Sequence, residues 1–292
     1  MTPGSAHSFA NAPAYRATRG AVGVLCVLAL ALPAAAFIPK AKRVVAEVAK
    51  VNAASKRATA LRFELSMRMG DGEPLARGEL ITHPTGLARL ELRGARGLVE
   101  RHLLQGSEHS TARDGELVES PRAFLPPLFL LQADSAAVLD AALSSVGVRE
   151  GVVGLAPCGE NECFMLGRPP GESRGASLEA ALAEGLTPGF EDPEELSPAL
   201  PTASVWVDVE SFEIREMSSS SGVRVLLGPT ASYDSLRVPR WWVIAEPGKR
   251  PVRFEVHTVM PVNAPASVFS RSWLMAPVLP AEGDAPPEAP AP

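Results

Sequence analysis

The chain is 292 residues long, 46% hydrophobic and 21% charged, with 28 basic and 33 acidic side chains. That supplies a core without metal or a dense disulfide framework, and length for one large β domain or two small ones. A formal net charge of -5 without a single-sign block, and only 5% aromatic residues, leave no electrostatic footprint and no base-stacking platform for nucleic acid.

At the N-terminus, Arg16 and Arg19 precede an apolar run from Ala21 to Leu32, followed by Pro33 and Ala34-Ala35-Ala36. Basic flank, short apolar core, helix breaker and small-residue exit are the ordered parts of a secretory signal peptide, expected over residues 1–36. The run is short for a membrane span of roughly 20 residues; the alternative is an uncleaved helix that anchors the protein. Cys26 lies inside the apolar core after Leu25, a poor context for lipid modification.

Lys40 to Ala60 has helical periodicity, with Val44, Val45, Val48 and Val51 near one face. From Leu61 to Met69 every odd position is apolar and every even one polar, the pattern of a strand with one face on an apolar volume. Strands follow over Leu75–Thr82, Leu87–Arg93 and Leu98–Gln105, with hairpin turns at Gly106-Ser107 and Asp114-Gly115. The first half therefore reads as an antiparallel meander. Pro121 to Gly147 interrupts it with an apolar patch broken by Pro126-Pro127, then a helix capped by Asp134-Ser135.

Strands resume at Val152 and Phe164, joined by a turn holding Cys158 and Cys163. In an exported chain a disulfide closing that turn is the plain reading, with two free thiols as the alternative. Residues 171–201 are rich in Gly, Pro, Glu and Ser and read as a mobile insertion. Further strands are expected over Val205–Val209, Phe212–Met217, Val223–Leu227, Arg240–Ala245 and Val252–Val259. Residues 276–292 read as a disordered Pro/Ala-rich tail.

Strands this numerous with one charged face suit an antiparallel sheet. The expected fold is mainly β with helices (α+β): one domain over residues 37–275, a strongly curved half-barrel whose concave apolar face is covered by helices. Candidate cavity-lining residues are Phe63, Leu65, Met67, Leu80, Leu90, Leu92, Val225 and Phe254. Phe124, Leu128, Phe129 and Leu131 are the candidate lid. Trp206 has no settled place, since Val205, Val207 and Val209 share the opposite face.

Two stretches resemble the periplasmic lipoprotein-carrier family of LolA, LolB and their RseB-like relatives. Gly78-Glu-Leu-Ile-Thr-His-Pro84 is similar to that family's Gly-x-Leu-x-x-(basic)-Pro segment, after a strand containing Phe63. Val205-Trp-Val-Asp-Val-Glu-Ser-Phe-Glu-Ile-Arg215 is similar to its Trp-x-Asp hairpin, with Gly222-Val-Arg-Val-Leu as the next strand. The order of elements fits from about Lys40 to Phe269. The resemblance implies an eleven-stranded type of half-open sheet and a cavity for the acyl chains of lipoproteins or lipids. It also implies a periplasmic monomer that meets an inner-membrane donor and an outer-membrane acceptor. His83 stands where carriers often have an arginine before the proline, which makes it the lid-control candidate. The alternative function is a sensor or regulatory binding protein of the same, RseB-like fold, or a membrane-tethered envelope-assembly protein.

No cofactor, metal or catalytic group is expected. His83, His102, His109 and His257 form no ligand pair, no Gly-x-Ser-x-Gly elbow or phosphate loop occurs, and Ser218 to Ser221 reads as a polar turn.

Overall fold

The computed structural model describes residues 38–70, 72–119, 121–149, 151, 153–159, 161–167 and 203–277. The expected signal peptide, the expected 171–201 insertion and all but the start of the expected C-terminal tail lie outside them.

Helix α1 spans Ala41–Ala54 and buries Val44, Val45, Val48, Ala49 and Asn52. It ends six residues earlier than the periodicity suggests, because Lys56 turns the backbone into the left-handed region (φ 54°), which a helix does not continue through. Strands β1 (Leu61–Met69), β2 (Ala76–His83), β3 (Leu87–Gly94), β4 (Val99–Gln105), β5 (Glu108–Arg113) and the two-residue β6 (Glu116–Leu117) form the meander. Between β5 and β6, Asp114 and Gly115 both have positive φ, the geometry that makes Asp-Gly a two-residue hairpin turn.

Helix α2 (Ala136–Ser145) follows, its N-terminus capped by the Ser135 side chain accepting from the Val138 amide. Then come β7 (Val153–Cys158), β8 (Asn161–Leu166), β9 (Ser204–Asp208), β10 (Ile214–Ser218) and β11 (Arg224–Leu227). Strands β14 (Trp241–Ala245) and β15 (Val252–Pro261) bring the chain back to β1. The result is one antiparallel sheet of thirteen strands in the order β6-β5-β4-β3-β2-β1-β15-β14-β11-β10-β9-β8-β7. Its centre is the pairing of β15 with β1, so the two halves of the chain are zipped together there.

The α+β half-barrel expectation holds, with thirteen strands in the sheet where the resemblance implies an eleven-stranded type. The sheet is unclosed and strongly curved. Strands β4 and β10 stand seven positions apart, roughly 34 Å along a flat sheet at about 4.8 Å per strand, yet Leu104 and Met217 line the same cavity. A separate hairpin, β12 (Thr230–Tyr233) and β13 (Leu236–Pro239), is not anticipated from the sequence. It buries Leu236 and Val238 in the main core and reaches α1 through the Arg237 amide, which donates to Ser55 O.

One expectation is corrected on the convex side, where the charged face of the meander is not all open to water. Residues 264–276, including the short helix α3 (Arg271–Leu274), lie across it, burying Phe269 and Leu274 against Ile81, Leu103 and Ala112. Arg89 and Arg101 sit over the Trp273 ring at 4.9 and 5.6 Å, and Arg101 also donates to Ala276 O at 2.6 Å. The aliphatic stems of these arginines fill space on a face that binary patterning reads as solvent.

Candidate functional site

Of the cavity-lining candidates, Phe63, Leu65, Leu80, Leu90, Leu92, Val225 and Phe254 are all buried, and Met67 is partly so. They share one continuous core with Phe124, Leu128, Phe129 and Leu131. The lid candidates thus pack directly into the concavity. Phe124 meets Phe254 edge-on at 5.8 Å, and Phe254 stacks on Trp242 at 5.6 Å. Under Leu128 and Leu131, beside Phe63 and Trp242, the remaining void is only about 10 Å³, too little for more than one water.

The open space lies to one side of this plug. A cavity of about 300 Å³ runs between the β4–β5 turn, the lid segment, residues 146–148 and the β9–β11 end of the sheet. Leu104, Leu125, Leu130, Val205, Met217 and Val225 give it apolar walls, so Val225 is the one sequence candidate that faces it. Ser107 and the run Ser218–Ser221 complete the lining, and Ser107, Ser220 and Ser221 are exposed, which puts this side of the cavity toward solvent.

The candidate lid is Pro126-Pro127 followed by a 3-10 turn, Leu128–Leu131. Adjacent prolines stiffen the approach and donate no amide. The turn is held by side chains that lie outside the sequence candidates. Asn52, buried on α1, donates from Nδ2 to both Leu130 O and Ala133 O at 2.9 Å, and its Oδ1 accepts from Arg57 Nη2 at 2.8 Å. Gln132 Nε2 donates to Thr59 O at 2.6 Å and to Arg57 O at 3.3 Å. Burial lowers the Arg57 pKa to about 10, with Glu213 opposing the shift and Arg237 adding to it. The signal that could have found Asn52 is its spacing: it follows Val48 by four residues, so a polar amide stands in the apolar stripe of α1.

His83 is placed elsewhere. Its Nδ1 lies 2.7 Å from Thr85 Oγ1 within the β2–β3 turn, and its ring meets Phe269 edge-on at 6.0 Å. The segment leading into the candidate lid is instead held near β4, β5 and the β14–β15 turn. Phe124 lies edge-on to His102 at 5.2 Å, the Ala123 amide donates to Glu246 Oε1, and Arg122 lies 3.7 Å from the same carboxylate. His102 Nδ1 lies 2.9 Å from Thr111 Oγ1, and its Nε2 is 3.0 Å from Glu100 Oε1 at an oblique angle. Burial lowers the pKa of His102 and brings that of His109 to about 4, so both rings are neutral at pH 7.

Trp206 packs on the convex face with Ala156, Cys163 and Met165, under Arg224, which also pairs with the buried Glu216 at 2.6 Å. Cys158 and Cys163 form a disulfide across the β7–β8 turn. A larger convex depression of about 800 Å³ is lined by Arg77, Arg93, Glu79, Glu91 and Glu255 beside Trp273, a mixed and largely paired set of charges. Among the described residues no group of three His, Cys, Asp or Glu could hold a metal ion, and no helix is long and apolar enough to cross a membrane.

No model of a known protein family matches this chain, and no curated protein matches it. Among solved structures, a LolA superfamily protein from Nitrosomonas europaea aligns over 81% of this chain and 100% of its own, at 10% identity and a TM-score of 0.44. A putative outer membrane lipoprotein-sorting protein domain from Vibrio parahaemolyticus aligns over 80% and 99%, at 7% identity and 0.45. A DUF1329 family protein from Desulfovibrio piger aligns over 81% and 100%, at 10% identity and 0.38. The first two carry the description that the sequence resembles. Superposition this loose carries no functional argument, and the cavity must carry it.

Proposed function

We propose that the protein is an extracytoplasmic, non-enzymatic carrier that takes the acyl chains of lipoproteins or lipids into the half-barrel and passes them from an inner-membrane donor to an outer-membrane acceptor. The observation that carries this reading is the pairing of an apolar cavity with a proline-stiffened plug that fills the rest of the concavity. Each methylene buried is worth about 0.8 kcal/mol. When a chain displaces Leu128, Phe129 and Leu131, apolar surface replaces apolar surface, and loading and release stay near balance. The polar contacts of Asn52 and Gln132 set which state is favoured when the protein is empty. The lining candidates Phe63, Leu65, Leu80, Leu90, Leu92 and Phe254 are then the floor that a lifted lid exposes.

The test is native mass spectrometry of protein purified from the envelope fraction, with lipid extraction alongside. The expected result is stoichiometric acylated ligand in the natural protein and none in Val225→Trp, which fills the cavity, at an unchanged melting temperature. An empty protein that also refuses fluorescent acyl probes would overturn the reading.

A further inference from the structure

The polar run Ser218–Ser221 has a place in the site that the acyl-chain reading does not use. It forms one lip of the cavity, Ser107 the other, and Ser204 lies beside Ser218. Ser204 Oγ and Ser218 Oγ are 2.9 Å apart, Ser219 Oγ and Ser221 Oγ 2.7 Å apart, and the Val223 amide donates to Ser219 Oγ. Ser107 and Ser220 are exposed. The mouth is therefore a rim of hydroxyls on a turn pinned by its own hydrogen bonds. No Lys, Arg, Asp or Glu is among the described residues lining the cavity, and His109 is its one titratable side chain.

An anionic headgroup needs a cation or oriented amides to offset lost hydration. Among the described residues the rim supplies no cation, and the protein's overall charge of -5 adds a weak repulsion. Esters and alcohols, by contrast, exchange water for serine hydroxyls at little net cost. A cavity of about 300 Å³ is also at the small end of ligand sites, roughly 300–1,000 Å³, which suits one chain while the lid is down.

Resting on the acyl-chain reading, we infer that the cargo's polar end is uncharged: an acyl ester of a polyol, whose hydroxyls and ester carbonyl meet Ser107 and Ser218–Ser221 while one chain enters the cavity. Phosphate-bearing lipids and free fatty acids are selected against at this mouth.

Four probes with the same twelve-carbon chain test this with the full mature protein by calorimetry, each below its micelle concentration: monolaurin, a lauroyl glucose ester, laurate and lauroyl glycerol phosphate. The neutral esters are expected to bind at least tenfold more tightly than the two anions, and the ratio between them tells a glycerol from a sugar source. Placing cations on the exposed lips, Ser107→Lys with Ser220→Lys, should bring the phosphate probe level with monolaurin or ahead of it. Equal or tighter binding of the anions to the natural protein overturns the headgroup inference and leaves the acyl reading standing. Binding of none of the four overturns the acyl reading, and this inference with it.

Discussion

His102 and His109 lie ring on ring, with centroids 5.4 Å apart and planes 12° from parallel. His109 Nε2 is buried without a hydrogen-bond partner, and Phe124, just before Pro126-Pro127, lies edge-on to His102. Two imidazolium ions cannot share this stack. The groups around it are Glu100 on β4, Arg113 on β5, Glu246 after β14 and Arg122 before the lid.

The stack predicts acid sensitivity with a definite sign. His109 binds its proton near pH 4 in the folded state and near 6.5 when unfolded. Between those values the unfolded chain holds more protons, so stability falls as pH drops through the window, by roughly 2–3 kcal/mol. Melting temperatures of the natural protein and His109→Gln from pH 7 to 4 check it. The variant should show the shallower slope, and parallel slopes would remove His109 from the account.

Asn52 predicts a link between stability and exchange. Asn52→Ala leaves two buried carbonyls and Arg57 without their partner, a loss of about 1–3 kcal/mol. Acyl probe release, followed by stopped-flow fluorescence, should quicken, because the lid loses its two bonds to α1. A destabilised variant with unchanged release would make Asn52 a core residue and nothing more.

Gly78 predicts an overpacking penalty. A Cβ there would stand 2.7 Å from Leu92 Cδ2, 2.8 Å from Glu91 O and 3.0 Å from Leu65 Cδ1. Gly78→Ala should destabilise by about 1–3 kcal/mol in denaturant titration, although alanine is ordinarily no worse than glycine in a strand. A neutral result would show that β2 and β3 can part.

The disulfide closes a short loop. Alkylation without reductant should leave Cys158 and Cys163 unlabelled, and the double Cys→Ser variant should lose no more than about 2 kcal/mol, the chain-entropy value for so small a ring. Unfolding of that variant at room temperature would show that the bond carries more of the fold than its turn.

The sheet was legible because its strands alternate: Leu61–Met69 and Val252–His257 can be read residue by residue, and they belong to its central pair, although the bulge that buries Val259 in place of Thr258 breaks the alternation beyond His257. The Asp-Gly turn and the Ser135 cap were legible because each residue has one local use. Asn52 could be seen only as a polar residue in the apolar stripe of α1, and the roles of Arg57 and Gln132 not at all, since these bonds span up to 81 residues and one dimension does not show their partners. The strap over the convex face hid for a related reason: Arg89 and Arg101 count as solvent-facing until Trp273 is folded beneath them.

Among the described residues the sheet ends at β6 and β7 without closing. An unclosed sheet offers unpaired backbone groups to a second copy, the usual seed of end-to-end fibres. Here one end is two residues long and carries Glu116. The other includes Pro157, which has no amide to donate, and is stitched by its disulfide to the strand behind it. Among the described residues each margin gives a neighbour little ladder to extend, so the protein is expected to reach high concentration without polymerising along its edges.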